Sequence, residues 1–449
     1  MKFPQHPAIG ICLHIFQRLS NFCLADNTYL ARFVIIKSDD ELYHCELGLL
    51  GGMEKLGLQE PDSITRFSRR KTERADHFNA LLIVPTGIGV EIGGHAGDAM
   101  PVTQLLAETC DTLVTHPNVV NASDINEMPG NCLYVEGSVI SRLMMGTLGL
   151  EKVRANRVLV VIDKHQDELF VNAAINSVST ARAVYGLQCP RVVQLEQSVR
   201  MKAVYSESGV AAGEIENLEY LCRILQEYED DYDAVALASV IDVPKKYHED
   251  YFSSGGDMVN LWGGVEAMLT HAVSSLFNVP SAHSPMLESR EIANADHGIV
   301  EPRLSAEAVS LTSLNCILKG LQRSPRIVTD EDAMRHPGIF SAADVSCLVI
   351  PDGCLGLPTI AALEQGIPVI AVKENKNLMQ NDLTALPWKP GQLIIVENYW
   401  EAAGVMNALK AGIAPESVRR PLTYTETVVC SRDVDMQRDE AIDQSFSGQ

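Results

Sequence analysis

Several things are missing from this 449-residue chain, and each absence excludes something. Its eleven cysteines stand singly, from Cys12 to Cys430, with no CxxC spacing. That excludes a zinc ribbon and a thioredoxin-like motif, and it fits reduced thiols. Positive charge is scarce: 36 Lys and Arg stand against 58 Asp and Glu, a formal net charge of −22. So acidic a surface repels phosphate backbones and argues against nucleic acid as a partner. No apolar run approaches the roughly 18 residues of a membrane span. The stretch after Lys2 makes a poor signal peptide. No Gly-Lys-Ser/Thr phosphate loop and no GxSxG elbow occurs. Gly87-Ile88-Gly89-Val90-Glu91 lacks the third glycine of a dinucleotide fingerprint.

What is present is an alternation of apolar runs and amphipathic segments. At 46% hydrophobic and 21% charged residues, the composition is that of an ordinary globular protein. Leu81–Val84 reads as a buried strand that enters a Pro-Thr-Gly-Ile-Gly loop, a Gly-Gly-His-Ala-Gly-Asp turn and a helix from about Met100. Further strands are expected at 110–116, 131–135, 157–162, 191–195, 234–241, 345–351, 368–372 and 393–396, with helices between them, one of them over 306–321. The fold class is therefore α/β: two Rossmann-like units with mostly parallel sheets, and a small N-terminal α+β addition. The expected division is 1–80 for the addition and linker, 81–243 and 244–417 for the two units, and 418–449 for a disordered tail. Residues 244–260 and 280–285 read as loops. Arg66, Arg69, Arg70, Lys71 and Arg74 form a basic cluster, either a solvated linker or a contact for an anionic partner.

Open α/β sheets bind ligands beyond the carboxyl ends of their strands. The candidate ligand-binding residues lie at such places: Thr86, Gly87, Gly89, Gly93 and Gly94 after the first strand, then His116, Asn118 and Asn121. Glu136 and Ser138 follow the third strand, and Asp352, Gly353, Glu374 and Asn375 lie in the later unit. Glycine-loop N–H groups at a helix start would hold a phosphate or carboxylate. Candidate catalytic groups are His95, Asp98, Asp124, Asp163 and His165, with the histidines moving protons and the aspartates orienting them. Asp98 as a helix cap and His95 as a buried turn residue are the structural alternatives. No metal motif is matched. His116, Asp124 and Glu136 form the only set considered for one. Cys354 near a helix start reads as a buried structural thiol.

Four blocks carry a resemblance: Pro85–Ala99, Thr115–Pro129, Val259–His271 and Ile350–Asn377. Together they resemble a DUF3326-like family of cyanobacteria and plant plastids. That resemblance implies kinship over roughly 81–409, but no activity. It is consistent with a cytoplasmic location, or the plastid stroma in plant relatives. A second resemblance is architectural. Gly93-Gly94-His95 and the Asp352–Pro368 stretch look like the two halves of nucleotide-sugar glycosyltransferases that extend a lipid-linked peptidoglycan precursor. It implies a ribose contact at Glu364 and a donor loop near Asn381. The Asn121–Pro129 block has no counterpart there. The expectation is an enzyme, transferase-like, acting on an anionic small molecule. The cofactor is unknown and self-association is left open. A non-catalytic metabolite-binding protein and a metal-assisted hydrolase or lyase are the alternatives.

Overall fold

A computed structural model describes residues 2–4, 19, 28–39, 42–52, 63–120, 127–309 and 312–429. The expected tail lies largely beyond them, as do Asn121 and Asp124. The α/β reading holds: two mostly parallel six-stranded sheets carry the chain, beside a small antiparallel N-terminal sheet.

The first sheet has the order 393–396, 369–372, 347–351, 79–82, 112–115, 132–134, with every pairing parallel. Its strands are apolar on both faces: Ala80, Leu81, Leu82, Cys347, Leu348, Val349 and Val369–Val372 are essentially without exposure. Such runs suit a parallel sheet covered by helices on both sides. The strands come from both sides of residue 243, because Leu348 pairs with Leu81. Everything between about 145 and 345 is inserted between the third and fourth strands in chain order.

The second sheet lies within that insertion. Ala234–Asp242 pairs in parallel with Val158–Ile162 and with Ser281–Met286, and its end meets Met201–Lys202. A hairpin of Met201–Tyr205 with Ala211–Ile215 forms one margin. The two chain crossings between the sheets run side by side: Gly149–Glu151 pairs antiparallel with Arg326–Val328 and with Ile339–Phe340.

Three local expectations differ. Residues 245–253 form a helix rather than a loop, because Tyr247 and Tyr251, one turn apart, bury their rings in the core of the second sheet. Ser281–Met286 is a buried strand. Its serines and Pro285 resemble a loop, but it sits at the sheet margin, where proline is tolerated. The expected helix 306–321 is two helices, Ser305–Val309 and Leu314–Gln322.

The N-terminal strands Thr28–Ser38 and Leu42–Gly51 form a hairpin. It joins the main body through Leu355–Gly356, which pairs with Val34–Ile35. Arg32 reaches from it to the Thr86 carbonyl at 3.2 Å. Four arginines of the basic cluster are engaged within the chain. Arg66 bonds Glu331, Arg69 bonds Glu364, Arg74 bonds Asp344, and Arg70 donates to the carbonyls of Val345 and Gln365.

Candidate active site

In the first sheet the strand order reverses between 347–351 and 79–82, the place where such folds usually bind ligands. Here the chain itself fills that crevice. Asn375, wholly buried, accepts from Ile92 N–H and donates to Ile92 O and to the Tyr399 hydroxyl. Leu378 N–H donates to Ile88 O, and Glu91 N–H donates to Lys376 O. Asn377 donates to Asp352 O, and Asn381 donates to Gly353 O and Ile35 O. Asp352 accepts from Gly353 N–H. Glu374 N–H donates to Glu397 O on the outer edge.

The glycine stretch is likewise occupied. The Asp98 carboxylate accepts from the N–H groups of Gly93 and His95, so it ties the turn together. Burial raises its pKa against those bonds. Gly94 lies so close to Val90 that a Cβ would stand 2.3 Å from the Val90 carbonyl oxygen. Gly87, at φ +76°, accepts from Ala211 N–H and fastens the loop to the second sheet. His95 is buried, with Nδ1 at 2.7 Å from the Tyr251 hydroxyl. Burial pulls its pKa down, helped by Arg303. Asp163 and His165 are held in turns. Asp163 accepts from Ser198 Oγ and Val199 N–H, and His165 bonds Leu287 O and Asp167 N–H. Cys354 is buried, and burial drives its thiol pKa upward.

An open cavity of about 350 Å³ lies to one side, between the carboxyl ends of the two sheets. Of the expected residues, Thr86, His116, Asn118 and Glu136 line it. Gly87, Gly89, Gly93, Gly94, His95, Asp98, Ser138, Asp163, His165, Asp352, Gly353, Glu374 and Asn375 do not. Glu364 pairs with Arg69 and is not among the lining residues. The remaining wall comes from the second sheet and its helices: His248, Phe252, Asn260, Trp262, Glu266, Thr270, His271, His283, Glu288, His297 and Glu307.

The helix Trp262–Phe277 is the main new contributor. Its first turn carries Gly263 and Gly264. A Cβ on Gly264 would stand 2.4 Å from Ala211 C, and one on Gly263 would stand 2.7 Å from Thr86 Cγ2. The two glycines therefore let the helix settle against the second sheet and the Thr86 loop. Its polar positions, Glu266, Thr270 and His271, fall at i, i+4 and i+5 and share the face that lines the cavity. That interruption of a mostly apolar helix is the signal sequence reasoning passed over.

Glu136 is the N-cap of the helix Gly137–Met144. Its Oε2 accepts from Ser138 N–H, Ser138 Oγ and Val139 N–H. Its Oε1 meets His271 Nε2 at 3.1 Å and Thr270 Oγ1 at 3.3 Å. Burial pushes this carboxyl's pKa up, but the His271 contact and the serine bonds outweigh it and hold it below its ordinary value. His271 Nδ1 is buried and has no hydrogen-bond partner. A second pair, Glu266 with His283 Nδ1 at 2.8 Å, is closed by Ser239 on His283 Nε2. His116 accepts from Val84 N–H through Nε2, and burial holds it neutral, at about 4. Asn118 braces the same corner, donating to Val84 O and Gly93 O. Among the described residues no three His, Cys, Asp or Glu are grouped to hold a metal ion.

Residues 79–419 match the family described as a protein of unknown function (DUF3326). The chain belongs to that family. An uncharacterized lipoprotein of Synechococcus sp. is 30% identical over 370 residues, which is 77% of this chain and 96% of that protein. No solved structure matches the chain. Among the described residues no helix is long and apolar enough to cross a membrane.

Proposed function

We propose that the protein is an enzyme that moves a proton on a small molecule held in this cavity, with His271 as general base. The observation that carries this is the pair Glu136–His271. The carboxylate accepts from Nε2–H, so in its neutral form the ring carries its lone pair on Nδ1. That nitrogen is buried without a partner on a wall of an open cavity. A base oriented by a buried carboxylate is the arrangement that general-base catalysis needs. Glu136 is itself fixed by four further bonds to Ser138, Val139 and Thr270.

The expected anionic ligand gains little support. The glycine-loop N–H groups described above bond within the protein, and no Lys or Arg is among the cavity-lining residues. A transferase for nucleotide sugars loses its ribose contact with Glu364. The unclustered, mostly buried thiols support a cytoplasmic location. A lipid-anchored place, by likeness to the Synechococcus lipoprotein, is the alternative that cell fractionation separates.

The test is incubation of the purified chain with a metabolite extract in heavy water, followed by mass spectrometry. Wild type should convert a metabolite or wash deuterium into it, and His271→Asn should abolish this in protein that keeps the wild-type circular dichroism spectrum. A metabolite that binds wild type and is recovered chemically unchanged and unlabelled would leave a binding protein instead.

A further inference from the structure

The cavity has a second end, built from the helix Lys245–Ser253, the segment after Met286 and the short helix Ser305–Val309. Its polar groups are mostly acceptors, and several lack donors. Glu288 Oε1 and Glu307 Oε2 are buried oxygens with no hydrogen-bond partner. The other Glu307 oxygen accepts from Asn260 Nδ2 at 3.0 Å, and the Tyr251 hydroxyl and the Ala96 N–H also act on this carboxyl. His248, 7% exposed, has a buried Nε2 with no hydrogen-bond partner, 3.6 Å from Glu288 Oε1. That gap is too long for a hydrogen bond. Leaving a buried acceptor unpaired is costly, so the two carboxylate oxygens are places that a bound molecule completes, with His248 Nε2 as the polar atom nearest to Glu288. Rings stand beside them. Trp262 packs on His248 with centroids 5.2 Å apart, and Phe252 packs on His297 at 4.1 Å.

Resting on the reading of this cavity as a substrate site, we infer that its second end recognises an ammonium or guanidinium group of the substrate. The cation would donate to Glu288 and Glu307, with the faces of Trp262 and Phe252 beside it. Unpaired carboxylate oxygens call for donors, and aromatic faces attract cations. The absence of Lys and Arg from the lining leaves those carboxylates without a fixed countercharge. Burial raises the Glu307 carboxyl to about 8, with Glu266 and Asp98 adding to the shift and the Tyr251 and Ala96 bonds opposing it, so a bound cation would release this proton.

Calorimetric titration tests this with 1-aminobutane, 1,4-diaminobutane and agmatine, set against butanol and butyrate. Wild type should bind at least one of the three amines at least tenfold tighter than butanol, and bind butyrate no better than butanol. Glu288→Gln and Glu307→Gln should each remove at least tenfold of the preference, the first with a melting temperature near wild type and the second with one no lower than wild type. Amines that bind no better than butanol, or butyrate that binds best, overturn the inference, as do isosteric variants that keep the full preference. His271→Asn separates the two readings. If it keeps the amine preference while wild type shows no proton exchange on any substrate, recognition stands and the proposed chemistry falls. If exchange is found on a substrate without a basic group, the chemistry stands and this inference falls.

Discussion

The loop Pro85–Asp98 and the helix Trp262–Phe277 both reach the cavity, and they use their polar groups in opposite ways. In the loop, the described N–H groups of Glu91, Ile92, Gly93 and His95 bond to Lys376, Asn375 and Asp98. His95 and Asp98 turn inward, and at Gly87, Gly93 and Gly94 neighbours approach to within a Cβ's reach. In the helix, His271 keeps one ring nitrogen unpartnered. Polar residues that complete one another hold a structure together, whereas a buried polar atom left incomplete in a cavity-lining residue calls for a partner. A glycine-rich strand end therefore does not identify a binding site until the bonds of its N–H groups are known.

The contrast can be broken by substitution, beginning with the largest effect. Gly264→Ala forces a methyl into the Ala211 backbone. It should cost about 4 kcal/mol or more of folding stability in urea unfolding and disrupt both regions at once. His271→Asn should lower turnover roughly 100- to 10,000-fold, and its urea midpoint should fall because the buried Glu136 carboxylate loses its partner. Asn375→Ala should cost stability and leave the cavity working. It leaves Ile92 N–H and O unpaired in a buried place, so stability falls by about 3 kcal/mol while amine affinity survives. If Asn375→Ala abolished ligand binding in a folded protein, the division between the two regions would fail.

Two smaller effects depend on pH and have opposite signs. Glu307 is raised from 4.5 to about 8. The folded chain keeps a proton that the unfolded chain gives up, so this stability is full below about 4.5 and is lost as pH rises to about 8. Glu307→Gln should flatten that slope, leaving the variant more stable than wild type at pH 9 by about 1–3 kcal/mol. His116 is depressed from 6.5 to about 4. Its contribution is present above 6.5 and is lost as pH falls to about 4. His116→Gln should weaken the acid sensitivity of the melting temperature in that window. The smallest effect is expected at Glu364. Its bond to Arg69 joins a largely exposed arginine, so Glu364→Gln should change stability by about 0.5 kcal/mol or less and leave amine binding untouched.

Part of this was legible in the residues. Runs such as Leu81–Val84 and Leu348–Pro351 announce parallel strands because both faces of such a sheet are buried, and Gly366 marks a helix end at φ +70°. Thr86, His116, Asn118 and Glu136 were reachable through the rule that parallel sheets present their carboxyl ends to ligands. Tyr247 and Tyr251 were not read as a helix face, since Gly255-Gly256 and the polar neighbours look like a loop. His283 was hidden in a serine- and proline-rich segment whose strand character comes from pairing with Leu237, 46 positions away.

The sequence by itself determined the α/β class, the family and the strand ends of the first sheet, because these follow from local periodicity and chain direction. The tertiary structure decided which polar groups are satisfied. Asn375 closes on Ile92 across 283 positions, and Glu136 meets His271 across 135. Whether a carboxylate caps a loop, orients a base or waits for a cation depends on what packing brings beside it. No local pattern of residues carries that information.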